Sequence, residues 1–175
     1  LWASGFKVYG SEIIKWAALS LALVSTKREN VINHSQFTDI MNETTIKLIT
    51  DYYAAFNSGD MDAFLSLLTG DVIHDINQGE RQIGKEEFKQ FMQVMNTSYK
   101  EELVDMVIMS TPDGVRGSAE FMVLGEYLKA DQGLPDAQGQ KYRLPAGAFF
   151  EIRDNKVARI TNYYNLEDWV AQVSE

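Results

Sequence analysis

The sequence lacks cysteine and has only two histidines and three prolines among its 175 residues. Without cysteine the chain has no disulfides, no thiol nucleophile and no cysteine-based zinc site, which fits a cytoplasmic protein. Because His34 and His74 are the only histidines, a histidine-rich metal site is not expected either. We therefore predict that the chain uses neither a metal nor a cofactor. Low proline content and 45% hydrophobic residues are typical of an ordered domain.

Positive charge is also scarce. The chain has 16 Lys and Arg residues against 25 Asp and Glu residues, a formal net charge of −9. Nucleic acids and anionic membrane surfaces are bound by clustered Lys and Arg, so neither is a predicted partner. The most apolar run, residues 13–24, contains Lys15 and is too short to span a bilayer.

Two regions differ in character. Residues 41–175 carry regular patterns and are predicted to form one domain, whereas residues 1–40 are predicted to be an N-terminal appendage. Met41 precedes a well-formed helical pattern, so it is the expected start of the domain. Two readings of the appendage stay open: upstream sequence outside the domain, or an amphipathic helix that packs on the domain or on a partner chain.

The domain pattern predicts two helices, a strand, a third helix and then four strands. Residues 46–56 have helical spacing, Gly59 is placed to end that helix, and Asp60 is placed to cap a second one. Residues 71–77 indicate a strand, and a third helix follows Gly84. The predicted later strands cover residues 102–110, 115–128, 141–153 and 156–164, with a short closing helix over 167–173. This order predicts an α+β fold, in which a strongly curved, mostly antiparallel sheet wraps around N-terminal helices. A sheet curved in this way forms a cone, and an internal pocket is expected at the open end of that cone.

Three segments carry a resemblance to a known family: YYAAFNSGDMDAFLSLLTGDVIHDINQG, IGKEEFKQFM and LPAGAFFEIRDNKVARITNYYNLEDW. Over residues 44–173 the chain resembles the SnoaL-like, ketosteroid-isomerase-related members of the nuclear-transport-factor-two-like superfamily. The resemblance implies the cone-shaped fold, and it also implies a homodimer formed through the outer sheet face. It does not fix a function, because this scaffold serves both enzymes and binding proteins.

The catalytic residues of two family members can be compared with this sequence. Of the steroid isomerase set, the tyrosine matches Tyr52, but the base position falls on Ile76, with Asp75 one residue away, and the oxyanion acid falls on Ala148. That set is therefore not intact. The Asp–Arg–Asp set of the epoxide hydrolases is absent as well, since the arginine position falls on Glu120 and the two aspartate positions fall on Met122 and Asn162.

Strand alternation groups the polar residues by face. His74 shares a face with Ile76, Glu120 with Met122, and Asn162 with Tyr164; the family alignment points all three faces inward. The predicted catalytic residues are therefore Glu120, His74, Asn162 and Tyr52. The predicted pocket-lining residues are Asp75, Ile76, Met122, Tyr164 and Phe150.

These residues suggest general acid–base chemistry. A glutamate in an apolar pocket has a raised pKa and becomes a base near neutral pH. His74 would orient it or act as the acid, while Asn162 and Tyr52 would donate to a carbonyl or enolate oxygen. The leading hypothesis is thus a cofactor-independent isomerase, cyclase or hydrolase acting on a hydrophobic small molecule.

Two alternatives remain open at this point. One is a non-catalytic binding module for a hydrophobic small molecule, and the other is a dimerising structural or interaction domain. Each polar residue also has a structural interpretation, since a buried histidine or asparagine often serves only to satisfy hydrogen bonds in a core. Ligand-dependent stabilisation without turnover would indicate the binding module.

Overall fold

The computed structural model describes residues 34–77, 79–130 and 133–174. Its first helix, α1, spans His34–Ser58, so the expected domain start at Met41 falls inside a continuous helix. The apolar run at 13–24 lies outside the described residues, as does nearly all of the predicted appendage. The division of the chain between residues 40 and 41 therefore stays a prediction.

The helix ends follow the capping residues that the sequence indicated. Gly59 adopts a φ of 70° and its amide donates to the Phe56 carbonyl, which ends α1. Asp60 begins α2, Met61–Ser66, because its carboxylate accepts from the Ala63 amide at 2.9 Å. The two later helices are α3, Lys85–Ser98, and α4, Leu166–Val173.

Six strands form one curved sheet that does not close. They are β1 Leu68–Asp75, β2 Arg81–Ile83, β3 Tyr99–Ser110, β4 Arg116–Tyr127, β5 Gln140–Arg153 and β6 Lys156–Tyr164. The spatial order is β2-β1-β6-β5-β4-β3, with β1 and β6 parallel and every other pair antiparallel. The predicted α+β class and curved sheet are confirmed, but the short strand β2 was not anticipated, because three residues are too few for a periodic pattern.

Local turn chemistry sets the registers. Asp154 and Asn155 both adopt a φ of 53°, the left-handed pair that a two-residue hairpin requires between β5 and β6. In β3, the pairing with β4 shifts between Val104 and Val107, where Asp105 also has a φ of 53°. This β-bulge adds a residue on one strand and bends the sheet.

The sheet has one face against the helices, here called the inner face, and an opposite outer face. Tyr53 of α1 contacts Phe121 of β4 at a ring-centroid distance of 5.1 Å, and Tyr52 contacts Phe150 of β5 at 5.6 Å. In a further contact, the ring centroid of Trp169 of α4 lies 5.0 Å from that of Tyr127, the last residue of β4. Aromatic contacts between helices and sheet, together with buried aliphatic side chains such as Ile49, Leu68 and Val157, form the core.

Candidate functional site

The orientation of β4 decides the position of the predicted base. Ala119, Phe121 and Val123 are buried on the inner face, whereas Glu120 is exposed. The prediction that Glu120 and Met122 point inward is wrong. Side chains alternate along a strand, so the apolar residues that pack on α1 force their neighbours outward. Glu120 therefore lies on the other side of the sheet from the remaining predicted catalytic residues.

Asp75 also lies on the outer face, contrary to its predicted place in the pocket lining. It pairs in register with Thr161, and its carboxylate accepts from the Arg81 Nε at 2.6 Å and from the Arg159 Nη1 at 3.4 Å. The Arg81 hydrogen bond is the main cause of its lowered pKa, opposed by burial and supported by the charge of Arg81. Asp75 is thus a structural ion-pair partner on the surface.

His74 is on the inner face, as predicted, and is 2% exposed. Its ring packs between Phe88 and Phe91 of α3, at centroid distances of 4.7 and 4.6 Å. Among the described residues its Nδ1 has no hydrogen-bond partner, and neither does the Oε1 of Gln82, its neighbour on β2. Burial lowers the pKa of His74, an effect partly offset by Gln82 and Asp75, which keeps the imidazole neutral near pH 7.

Four other predicted residues lie on the helix side of the sheet. Tyr52 is 4% exposed and packs on Phe64 at 4.4 Å, and burial raises the pKa of its phenol. Phe150 is buried in the same cluster. Asn162 and Tyr164 pair with Ala148 and Ala146 of β5, the small residues of the inner face, and both keep partial exposure to solvent. Their catalytic and pocket-lining roles stay predictions.

The inner face also carries a carboxylate that the sequence analysis missed. Glu101 of β3 is half-buried, and its Oε1 accepts a hydrogen bond from the Tyr142 hydroxyl of β5 at 2.5 Å. Burial raises the pKa of Glu101, and the Tyr142 hydrogen bond partly opposes this rise. Burial raises the pKa of Tyr164, and the charge of Glu101 contributes to the same rise.

Alternation within β3 was the signal for this residue. Tyr99 and Leu103 contribute to the core, whereas Lys100 and Glu102 are exposed, so period-two spacing places Glu101 among the inward residues. Tyr142 could not have been matched to it from the sequence. The two residues are 41 positions apart and meet only because β4 lies between their strands.

Two open cavities lie on the sheet. The larger, about 530 Å³, is bordered by Glu101 and Tyr142 as well as by outward side chains; its lining residues are Lys100, Glu101, Glu102, Leu124, Gly125, Glu126, Lys141, Tyr142, Arg143 and Gln172. The second, about 360 Å³, lies over Phe149, Tyr163 and Arg159. Both are open to solvent, and the internal pocket stays a prediction.

Among residues 34–77, 79–130 and 133–174, no group of three or more His, Asp or Glu side chains is arranged to hold a metal ion. Within the same ranges no helix has the length and apolar character needed to cross a membrane.

Comparison with known proteins gives a consistent picture. No curated protein matches the chain. A solved structure of a candidate polyketide cyclase from Pseudomonas putida is 62% identical, with a TM-score of 0.73, covering 74% of this chain and 97% of that one. A second candidate polyketide cyclase, from Xanthomonas campestris, is 51% identical, with a TM-score of 0.74 and coverages of 77% and 99%.

A more distant structure has the same fold. An LEH-like epoxide hydrolase of Mycobacterium tuberculosis is 14% identical, with a TM-score of 0.61, covering 75% of this chain and 90% of that one. The family model described as a SnoaL-like domain matches residues 49–160. The chain, with its curved sheet and its carboxylate on the inner face, belongs to the SnoaL-like domain family.

Proposed function

We propose that the protein is a cofactor-independent enzyme of cyclase or isomerase type that moves protons next to a carbonyl group of a hydrophobic small molecule. The observation that carries this proposal is Glu101, a carboxyl group on the inner face with a raised pKa and a tyrosine hydroxyl bonded to it. Two relatives that are 62% and 51% identical to this chain are candidate polyketide cyclases, which supports the same class of chemistry.

In this mechanism the Glu101 carboxylate takes a proton from the carbon next to the substrate carbonyl. The C–H bond breaks, an O–H bond forms on Glu101, and the electron pair moves onto the carbonyl oxygen as an enolate. Protonated Glu101 then returns the proton either to another carbon of the enolate or, when the enolate carbon has attacked a second carbonyl carbon of the substrate, to the alkoxide oxygen formed by that attack. A raised pKa suits both steps, because the best acid–base groups have pKa values near the working pH.

The remaining polar residues of the inner face have supporting roles in the proposal. Asn162, which is half-buried, and Tyr164, which is 38% exposed two positions further along β6, would donate to the enolate oxygen. Their partners on β5, Ala146 and Ala148, have small side chains. His74 and Tyr52 are packed among aromatic rings, so they would shape the apolar wall behind the substrate.

Solvent exchange of a simple ketone tests the proposal. We expect the wild-type protein to accelerate deuterium uptake at the carbon next to the carbonyl of 2-tetralone in D₂O, followed by proton NMR. Glu101→Gln should lower the protein-dependent rate by about 100-fold or more, the usual range for loss of a general base. Glu102→Gln is the matched control, since Glu102 is the next residue on the same strand and faces outward.

Equal rates for wild type and Glu101→Gln would refute the assignment of Glu101. Binding of 2-tetralone without exchange, detected as ligand-dependent stabilisation, would support the alternative of a non-catalytic binding module. Glu120→Gln should behave like Glu102→Gln, because its carboxylate is on the opposite side of the sheet.

We also propose that the protein forms a homodimer through the outer face. That face exposes two pairs of large apolar side chains, Val107 and Met109 on β3, and Phe149 and Tyr163 on β5 and β6, with Ser118 and Glu120 of β4 between the pairs. Exposed apolar patches of this kind mark interaction surfaces. Sedimentation equilibrium should give a dimer for the wild type and a monomer for Phe149→Asp. A wild-type protein that sediments as a monomer would refute the proposed homodimer. A cytoplasmic location stays the sequence-based prediction.

A further inference from the structure

One row of residues crosses three strands of the inner face at the Glu101 cluster. Glu101 of β3 pairs with Gly125 of β4, and Gly125 pairs with Tyr142 of β5. The tyrosine and the glutamate are therefore separated by a whole strand, and a contact between them has to pass over the residue on β4.

Gly125 is the residue that makes this crossing possible. A Cβ built on Gly125 would lie 2.0 Å from the Cζ of Tyr142 and 2.3 and 2.5 Å from its two Cε atoms. Real Cβ atoms never come so close to a ring, so the phenol occupies the volume that any other residue at 125 would fill. The close approach, not a special backbone angle, is what requires glycine here.

The Tyr142 ring also contacts a helix. Tyr142 is 5% exposed, and its ring lies 6.0 Å from that of Trp169 in an edge-on contact. A phenol fixed between Trp169 and the backbone of β4 has little rotamer freedom, so its hydroxyl is aimed at one place. That place is the Oε1 of Glu101.

We propose that Tyr142 is a positioning residue that fixes the orientation and the protonation of Glu101, and that glycine is needed at position 125 so that the tyrosine can reach it. The catalytic part of this inference rests on the proposed function, in which Glu101 transfers a proton to and from the substrate. Its physical part, the coupling of Tyr142 to the Glu101 carboxyl, can be measured without any substrate.

The titrating groups around the carboxyl make that measurement simple to read. Tyr142 from β5 donates to Glu101, and the charge of Glu101 also acts on Tyr164 from β6; both tyrosines have raised pKa values, chiefly through burial. Both therefore stay protonated through neutral pH, and Tyr142 remains a donor over that range. Trp169 from α4 carries no charge, so Glu101 is the group of this cluster whose titration the experiment follows.

The first experiment is a carbon NMR titration of protein labelled with ¹³C at the glutamate carboxyl. In Tyr142→Phe the carboxylate loses its donor, so the pKa of Glu101 should move to higher pH. Gly125→Ala should move it in the same direction, because the new methyl group displaces the ring. Gly70→Ala is the matched control, since a Cβ at Gly70 meets nothing within 4 Å, and it should leave the titration unchanged.

The double variant tests whether Tyr142 and Gly125 affect Glu101 through the same hydrogen bond or independently. If Tyr142→Phe and Gly125→Ala break the same hydrogen bond, their combination should shift the pKa no further than the larger single change. Additive shifts would overturn the proposal, and so would a Glu101 titration in Tyr142→Phe that coincides with that of the wild type. Should Gly125→Ala fail to fold, the Tyr142→Phe titration alone decides.

Exchange of 2-tetralone links the coupling to chemistry. Tyr142→Phe should lower the exchange rate by about 10-fold at a fixed pH, with KM little changed. The loss is smaller than for Glu101→Gln because the base is displaced but still present. The base limb of its pH–rate profile should move with the NMR titration. A shifted titration with no wild-type exchange would refute the proposed function and leave the coupling intact. Exchange that is lost in Glu101→Gln but unaffected in Tyr142→Phe would refute the positioning role alone.

Discussion

The two faces of the sheet use the same residue types for different purposes. Glu101 on the inner face has one tyrosine partner and a pKa raised by burial, whereas Glu120 on the outer face is exposed. Asp75, also on the outer face, is held by two arginines that lower its pKa. The pKa values of Glu101 and Asp75 thus depend on their burial and their partners, which differ between the two faces.

The sharpest test of the comparison uses two adjacent phenylalanines of β5. Phe150 is 1% exposed on the inner face, and Phe149 is 55% exposed on the outer face. Phe150→Ala should lower the free energy of unfolding by about 3–5 kcal/mol, the usual cost of removing a buried aromatic ring. Phe149→Ala should change it by less than about 0.5 kcal/mol, as expected for a surface position.

Urea unfolding at a low protein concentration measures both changes. A low concentration reduces any contribution from subunit association, which would otherwise add to the effect of Phe149→Ala. Comparable losses in the two variants would contradict the assignment of inner and outer faces in β5.

A smaller effect concerns the dependence of stability on pH. Because burial raises the folded-state pKa of Glu101 above its ordinary value of 4.5, the folded protein binds this proton more tightly than the unfolded chain does. The stability that protonated Glu101 contributes is present at low pH and is lost as pH rises from 4.5 through the raised pKa. The difference in free energy of unfolding between wild type and Glu101→Gln should therefore fall over that window, by an amount on the order of 1 kcal/mol.

Unfolding series from pH 4 to pH 9 on both proteins would reveal this difference. Taking the difference removes the opposite trends of Asp75 and His74, whose pKa values are lowered in the fold. Glu102→Gln serves again as the control. A difference curve that is flat, or that rises with pH, would mean that Glu101 is not buried as described.

The fold was largely predictable because its signals are local. Gly59, Asp60 and the Asp154–Asn155 pair act through their own backbone and nearest neighbours, so their identity alone indicates where helices and a hairpin begin or end. The order of helices and strands then restricts the sheet to few arrangements. Only β2, with three residues, was too short to leave a pattern.

The site was less predictable, for two separate reasons. In β4, alternation places Ala119, Phe121 and Val123 on one face, and that local signal contradicts the inward orientation taken from the family alignment. A one-residue displacement in an alignment moves every side chain of a strand to the other face. Glu101 could have been found by the same alternation.

The second reason is distance along the chain. The contact of Tyr142 with Glu101 depends on which strands are neighbours, on their register and on a glycine between them. No property of Tyr142 or of its sequence neighbours carries that information. Its contribution to the site becomes apparent only when the three strands are side by side.

The bulge at Asp105 also affects how the chain tolerates changes in length. Before it, the odd-numbered positions 101 and 103 face the helices; after it, the even-numbered Met106 and Ile108 pack on the core, while Val107 is exposed. The bulge adds one residue to β3, so the inward positions change from odd to even numbers while each face of the strand stays on the same side of the sheet. We therefore expect β3 to accept loss of one residue at this point with Glu101 still facing inward, whereas the same deletion in the regular pairing of β4 would exchange the faces of the strand beyond it.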